Sequence, residues 1–200
     1  MSAMTGTAKV LRYTAFTLMM LLGLLGGLFV AGYAFEDLST WAAIGSTAAW
    51  LLPTVALGVV AFRYPNESAP WFAGLTGVVA VLTLLDSAVQ VVDRDAVGPV
   101  AAIGVFALAV SLAVLGLRRA ALAGLLLVLL GLAQLGATVV GFSDELRGGG
   151  GPSLGDLLTT SGGVIVTPVV LVGLLYLVAG SLTHESPRFR HLPPSAHPAH

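Results

Sequence analysis

Six long apolar stretches constrain the fold of this chain more than any other feature. A bilayer core about 30 Å thick needs roughly 20 apolar residues per helix. Four of the stretches contain no charged residue. The first carries only Arg12, near its N-terminal end, and the third carries only Asp86. Charged residues make up 10% of the chain, against about 25% in a soluble domain. The predicted transmembrane helices cover residues 11–34, 41–62, 71–92, 97–117, 120–142 and 157–182.

This pattern predicts an all-α, polytopic integral membrane protein whose six transmembrane helices form three antiparallel hairpins. The link at residues 118–119 is so short that the fourth and fifth helices are expected to be antiparallel neighbours. Residues 143–156 contain four consecutive glycines and predict a flexible outer loop. Residues 1–10 are expected to be a short cytoplasmic N-terminus. Residues 183–200 are Pro-rich without apolar periodicity, which predicts a disordered cytoplasmic tail.

The basic residues predict the orientation of the helices. If the spans alternate, seven of the nine basic residues lie on one side, and only Arg94 and Arg147 lie on the other. The positive-inside rule then places both termini in the cytoplasm and the chain in the plasma (inner) membrane as a multi-pass protein. The predominance of Arg over Lys suggests a bacterial source. Alternatively, the first span is a cleaved signal peptide with Lys9 and Arg12 as its basic region, which would leave five spans.

Asp86 is the first candidate for a functional residue. A carboxylate inside a span costs about 2.5 kcal/mol or more, so such residues usually face the bundle interior or a cavity. Helical spacing places Asp86 and Gln90 on one polar stripe with Thr83 and Ser87. Gln134 in the fifth span lies at a similar depth, so we expect Asp86 to hydrogen-bond Gln134 or the nearby Thr138. Either these groups hold the helices together, or they line a water-filled, proton-coupled vestibule.

Pro53 and Pro168 are the second candidate feature. Each lacks an N–H and is expected to kink its helix near the bilayer centre. Short similarities, such as residues 42–45 with residues 101–104, are compatible with an internal repeat or with biased composition. Prolines at matching positions in two repeats would indicate a transporter site. Ordinary helix packing explains them equally, because proline is common in membrane helices.

Small residues at four-residue spacing form two predicted ridges. The first runs through Gly23 and Gly27 on the first span, and the second through Ala133 and Ala137 on the fifth. Such ridges let helices approach closely. Packing within the chain is the simpler interpretation, and homo-oligomer formation is the alternative. Trp50 lies in mid-span and is expected to pack against a neighbouring helix.

Missing residue types exclude several function classes. The chain has no cysteine and no histidine within a span, which excludes thiol chemistry, a bis-His haem and a Ser–His protease in the bundle. The net charge of -1 argues against a nucleic-acid partner. We therefore expect no enzyme, metal or cofactor, but an accessory or interaction subunit of a membrane assembly, with membrane lipids and a homo-oligomer or larger complex as partners. The alternative is a small transporter or permease-like protein that uses Asp86, Gln90 and Gln134.

Overall fold

The computed structural model describes the backbone of residues 2–37, 39–89, 94–141 and 161–183. This part of the chain is all-helical, with six helices and no strand, as the sequence predicts. The predicted outer loop, the tail from residue 184 onward and Gln90 lie outside the described residues. The helices are α1 (Ser2–Asp37), α2 (Thr40–Arg63), α3 (Ala69–Val89), α4 (Arg94–Gly116), α5 (Ala120–Gly141) and α6 (Ser161–Leu182).

Three of these helices are long and apolar enough to cross a membrane. The qualifying segments are Gly6–Gly27 in α1, Thr40–Arg63 in α2 and Ala120–Val140 in α5. Among the residues searched, the other three helices contribute shorter apolar segments: Ala69–Leu85, Gly104–Gly116 and Val166–Leu182. Helix α1 begins well before the predicted span, at Ser2, and residues 2–10 contain no proline that would break it. Helix α2 ends where the sequence predicts, since Pro65 disfavours helical backbone at Tyr64.

Helix α4 lies at the centre of the bundle. From Val105 to Gly116 its side chains are buried on every face, with only Phe106 and Val114 half-buried. It packs against α1, α2 and α5, and touches α3 more lightly. A ring of contacts joins α1 to α4, α4 to α5, α5 to α6, and α6 back to α1. Helix α2 packs outside this ring on α1 and α4, and α3 packs outside it on α5.

The order of contacts gives the relative direction of several helices. Gly23 of α1 lies near Val110 of α4, and Gly26 lies near Phe106. Residue numbers rise along α1 while they fall along α4, so these two helices are antiparallel. Helices α2 and α4 run in the same direction, because Thr54 lies near Ser111 and Gly58 near Val114. These relations agree with alternating spans. The arrangement of all six helices as three hairpins stays a prediction.

The closest helix contact in the described bundle lies between α5 and α6, which share the largest interface. A Cβ atom at Gly124 would lie 2.7 Å from the carbonyl oxygen of Gly173 and 2.7 Å from the backbone nitrogen of Leu177. At Gly180 it would lie 2.8 Å from the backbone of Ala121. The two backbones therefore approach as closely as missing side chains allow. The contacting positions are 121, 124, 128 and 131 on α5, and 166, 170, 173, 177 and 180 on α6.

These positions repeat at alternating three- and four-residue steps in both helices. Such spacing is that of a left-handed coiled-coil seam, here with glycine where a coiled coil usually carries leucine. The contacts advance along α5 while they retreat along α6, as in an antiparallel pair. Because dispersion attraction falls steeply with separation, close approach of two long backbones gives many favourable contacts. The α5–α6 pair is thus the most closely packed unit of the described fold.

The predicted ridge on α1 also packs within the chain. Gly23 lies against the Val110 side chain of α4, and Gly27 lies against the indole ring of Trp50 on α2. The expectation that Trp50 packs against a neighbouring helix is therefore confirmed. A larger residue at Gly27 would displace this ring, so the glycine positions α2 on α1.

Candidate functional site

A short polar network joins α3 and α5 at the predicted site. The side-chain amide of Gln134 donates a hydrogen bond to the Thr83 hydroxyl over 3.2 Å. That hydroxyl donates in turn to the Val79 carbonyl one turn earlier, over 2.8 Å. The Thr138 hydroxyl donates to the backbone carbonyl of Gln134 over 2.9 Å. Gln134 is thus bonded to Thr83, a member of the polar stripe on α3 that was not predicted as its partner.

Asp86 lies on α3 one turn beyond Thr83, but its side chain is outside the described residues. The expected hydrogen bond between Asp86 and Gln134 therefore stays a prediction. The neighbouring Ser87 is buried, and its hydroxyl donates to the Leu84 carbonyl over 2.8 Å. Two members of the predicted polar stripe, Thr83 and Ser87, thus bond to the backbone of their own helix.

Three further buried hydroxyl groups follow the same rule, whereas that of Ser68, in the turn before α3, has no hydrogen-bond partner among the described residues. The Thr54 hydroxyl donates to the Trp50 carbonyl over 2.7 Å, and the Thr76 hydroxyl to the Phe72 carbonyl over 2.7 Å. Ser111 bonds the Ala107 carbonyl over 2.7 Å and approaches the Thr54 carbonyl of α2 at 3.5 Å. Hydrogen bonds to the preceding turn satisfy these hydroxyls without a second helix. Each of these three hydroxyls already donates its proton to a backbone carbonyl. Such groups are suited to packing between helices rather than to proton transfer.

Both predicted kink residues lie inside continuous helices. Pro53 is exposed within α2, and Pro168 is half-buried within α6. Proline removes the usual donor to the carbonyl four residues earlier, which for Pro53 is Ala49. The next residue, Thr54, adds a hydroxyl bond to the neighbouring Trp50 carbonyl. A kink at either proline, and a transporter site formed by the two, stay predictions.

Two arginines from separate parts of the chain, Arg12 and Arg118, lie at one end of the bundle. The Arg12 guanidinium of α1 donates to the Thr183 hydroxyl over 2.8 Å, where α6 ends. The guanidinium of Arg118, in the turn between α4 and α5, lies 5.0 Å from the centre of the Phe62 ring near the end of α2. Gly180 of α6 lies close to Ala121 of α5, which places both groups of contacts at the same end of the bundle. A cation beside the C-terminal end of α6 also interacts favourably with the negative end of the helix dipole.

Tyr176 is the central buried residue that the sequence does not single out. It is fully buried on α6, and its hydroxyl donates to the Ala113 carbonyl of α4 over 2.7 Å. Its ring lies against Gly116, where a Cβ atom would be 2.5 Å from the ring. Helix α4 ends here in a tighter turn, because the Leu117 N–H donates to the Val114 carbonyl. Tyr176 thus supplies a donor to one of the last carbonyls of α4, which commonly lack a partner in their own helix.

Comparison with protein-family models, with curated proteins and with solved structures finds no match to this chain. Within the described residues, no group of three or more His, Asp or Glu side chains could hold a metal ion. The geometry that bears on function is therefore the closely packed interior, the Gln134–Thr83 contact, and the basic end of the bundle.

Proposed function

We propose that this chain is a multi-pass membrane protein whose six helices all cross the plasma (inner) membrane. The observation that supports this most is the exposure of large apolar side chains on several helices. Large aliphatic side chains point outward, among them Val10, Leu25 and Leu52, with exposed fractions of 65%, 64% and 67%. The core itself mixes alanine with leucine and valine. An outward apolar surface on several helices favours a lipid environment over water, because soluble monomers rarely expose large contiguous apolar patches.

Two exposed tryptophans support the same proposal. Trp41 lies near the start of α2 and Trp71 near the start of α3, with exposed fractions of 83% and 81%. Helix α2 separates them, so they lie near opposite ends of a span. Tryptophan is enriched at both membrane–water interfaces. The basic end of the bundle, with Arg12 and Arg118, then faces the cytoplasm together with both termini.

Within the membrane, we propose that the chain is a non-enzymatic accessory or interaction subunit of a larger assembly or a homo-oligomer. In the described bundle, α4 is buried on nearly every face, and the buried hydroxyls of Thr54, Thr76 and Ser111 bond to helix carbonyls. Such an interior suits a packed scaffold, whereas an ion or solute path needs polar groups that face a shared cavity. Helices α1 and α2 keep broad outer faces that lipid or a neighbouring subunit can cover.

The Gln134–Thr83 contact favours one second candidate, a small transporter or permease-like protein. It places an amide and a hydroxyl between α3 and α5, one turn from Asp86. A water-filled vestibule around Asp86 and Gln134 would then open toward the outside. Intramembrane ionisable residues often mark such paths.

Single-cysteine variants test whether lipid covers the outer faces. The chain has no cysteine, so each introduced thiol is unique. In open membrane fragments, we expect Leu52→Cys to stay unlabelled by a water-soluble maleimide until the protein is unfolded in dodecyl sulfate. Asn66→Cys, in the exposed loop between α2 and α3, is the positive control and should react at once. Labelling of Leu52→Cys as fast as Asn66→Cys would contradict the proposed embedding.

The same assay separates the scaffold from the transporter. Ser87 has an exposed fraction of 8%, and Thr83 is half-buried beside Gln134. If the helices form a closed scaffold, Ser87→Cys and Thr83→Cys stay protected in native membranes. If an aqueous vestibule reaches Asp86, both react at rates similar to Asn66→Cys, and the accessory-subunit proposal is then wrong.

A further inference from the structure

The contacts between the parallel helices α2 and α4 end at an arginine. One turn beyond the contact of Gly58 with Val114, the guanidinium of Arg118 lies 5.0 Å from the centre of the Phe62 ring. Arg118 is in the turn that follows α4, and its side chain is exposed. The ring of Phe62, in the last turn of α2, is also exposed. The packing of α2 on α4 therefore brings a cation and an aromatic ring together at the surface of the bundle.

An arginine that lies over a ring keeps hydrogen-bond donors available for a ligand. The attraction between the cation and the ring acts through the face of the ring. The planar guanidinium carries five N–H donors in a fork that matches two oxygens of a phosphate. Arg63 follows Phe62 directly and is exposed as well. Consecutive Cα atoms are about 3.8 Å apart, so a second guanidinium begins beside the same ring.

The charge at this end of the bundle favours an anionic ligand. Its described part contains five basic residues: Lys9, Arg12, Arg63, Arg118 and Arg119. Among the same described residues, Glu67 is the only acidic one. Basic residues beside a membrane attract the anionic lipids of the cytoplasmic leaflet.

Helix α2 presents a row of exposed apolar side chains that leads to these cations. The members of the row are three, four and three positions apart: Leu52, Val55, Val59 and Phe62. At 3.6 residues per turn, they stay within about 80° of one another around the helix axis. The row is about 15 Å long, which is half of a bilayer core about 30 Å thick. Its length therefore suits one acyl chain in one leaflet, with the two arginines at the level of the headgroup.

We propose that Arg118 and Arg63 bind the phosphate of one anionic phospholipid in the cytoplasmic leaflet, and that its acyl chain lies along the apolar row of α2. Phe62 holds the Arg118 guanidinium in place for this contact. The inference rests on the proposed membrane embedding. It adds a lipid site at the end of the α2–α4 contact, separate from the polar contact between α3 and α5.

The test measures the binding of phosphatidylglycerol to the full chain in neutral detergent by native mass spectrometry. We expect Arg118→Gln to weaken the binding of the first lipid about fivefold, the effect of one basic residue at a membrane surface. Lys9→Gln is the matched control, because it removes one exposed charge from the same end of the bundle; it should keep the wild-type affinity. Arg118 is exposed, so its variant should also keep the wild-type melting temperature.

Two further measurements test the ring and the headgroup. Phe62→Leu keeps an apolar side chain and every charge but removes the ring, so we expect it to weaken phosphatidylglycerol binding about twofold. Phosphatidylcholine carries its own ammonium beside the phosphate, so it should bind the wild type and Arg118→Gln equally. A Phe62→Leu protein with wild-type affinity would contradict the positioning of Arg118 by the ring.

Three outcomes would overturn the lipid site. Equal weakening by Arg118→Gln and Lys9→Gln would mean diffuse attraction to the basic end. Wild-type affinity of Arg118→Gln would mean that Arg118 does not contact the headgroup, and equal weakening for both lipids would mean that the net charge of the headgroup is not recognised.

Extraction of native membranes with alkaline carbonate tells this failure from failure of the embedding. A chain that carbonate retains in the membrane, but whose phosphatidylglycerol binding is the same in Arg118→Gln, contradicts the lipid site alone. A chain that carbonate releases contradicts the embedding itself.

Discussion

Gly124→Ala should destabilise the bundle by about 1–3 kcal/mol, the usual cost of overpacking a close contact. The added methyl group would lie 2.7 Å from the Gly173 carbonyl oxygen and 2.7 Å from the Leu177 backbone nitrogen. Both neighbours are backbone atoms, so they cannot move aside by changing a rotamer. Gly124→Leu, with a larger side chain, is expected to separate α5 from α6 and to leave little folded protein. The measurement is the free energy of unfolding in mixed detergent micelles.

Gly74→Ala on α3 is the matched control for this substitution. It adds the same methyl group to a helix, but no atom lies within 4 Å of that position. We expect its free energy of unfolding to stay within about 0.5 kcal/mol of the wild type, as for most surface substitutions. If Gly124→Ala and Gly74→Ala unfold alike, the α5–α6 backbone contact does not hold the bundle together.

Tyr176→Phe should cost about 1–3 kcal/mol, because it leaves the buried Ala113 carbonyl without its donor. An ordinary side-chain hydrogen bond between membrane helices averages only about 0.6 kcal/mol, since the groups often find other partners. The carbonyl of Ala113 lies at the end of α4, where Leu117 bonds Val114 instead, so a replacement donor is less accessible. Tyr176→Ala also leaves a cavity and should cost about 3–5 kcal/mol, as for other buried aromatic residues.

Tyr64→Phe provides the comparison for this second prediction. Tyr64 has an exposed fraction of 50% at the end of α2, so the lost hydroxyl leaves no buried group unpaired. Unfolding free energies of both variants, measured under the same detergent conditions, give the result directly. A Tyr176→Phe protein as stable as Tyr64→Phe would mean that the Ala113 carbonyl finds another donor, and the proposed role of the hydroxyl would be wrong.

The six helices could be predicted because apolar length is a property of each segment alone. The central position of α4 could not, because its hydropathy resembles that of the other spans. A helix that is apolar all round carries no stripe that indicates which neighbour it meets. The difference appears only in the structure: Ala109, Ser111 and Ala113 of α4 are fully buried, whereas Leu51 and Leu52 of α2 are exposed.

The spacing of small residues in the α5–α6 seam is present in the sequence, but the high glycine content makes it hard to recognise. Glycine occurs 25 times in the chain, so four-residue spacings of small residues arise easily by chance. The informative signal was the seven-residue repeat of Gly124 with Gly131, matched by Gly173 with Gly180 on the next helix. A repeat shared by two consecutive spans is a stronger indication of contact than either ridge alone.

The partner of Gln134 could not be predicted from depth alone. Depth along the helices places Gln134 level with Asp86, but its described partner is Thr83, one turn earlier on α3. Tyr176 could not be found in this way, because tyrosine near a span end is typical of an interfacial anchor. Its role depends on how α4 ends, and that is determined by the tight turn before Arg119.

Insertion of reporter domains at two positions tests the central claim most directly, namely that these helices cross lipid in alternating directions. One reporter is placed between Arg118 and Arg119, and the other within the glycine run that begins at Gly148. A fluorescent protein that matures only in the cytoplasm should be bright at the first position and dark at the second. Alkaline phosphatase, which is active only outside, should give the opposite pattern. The same reporter active at both positions would place these loops on one face and contradict the account.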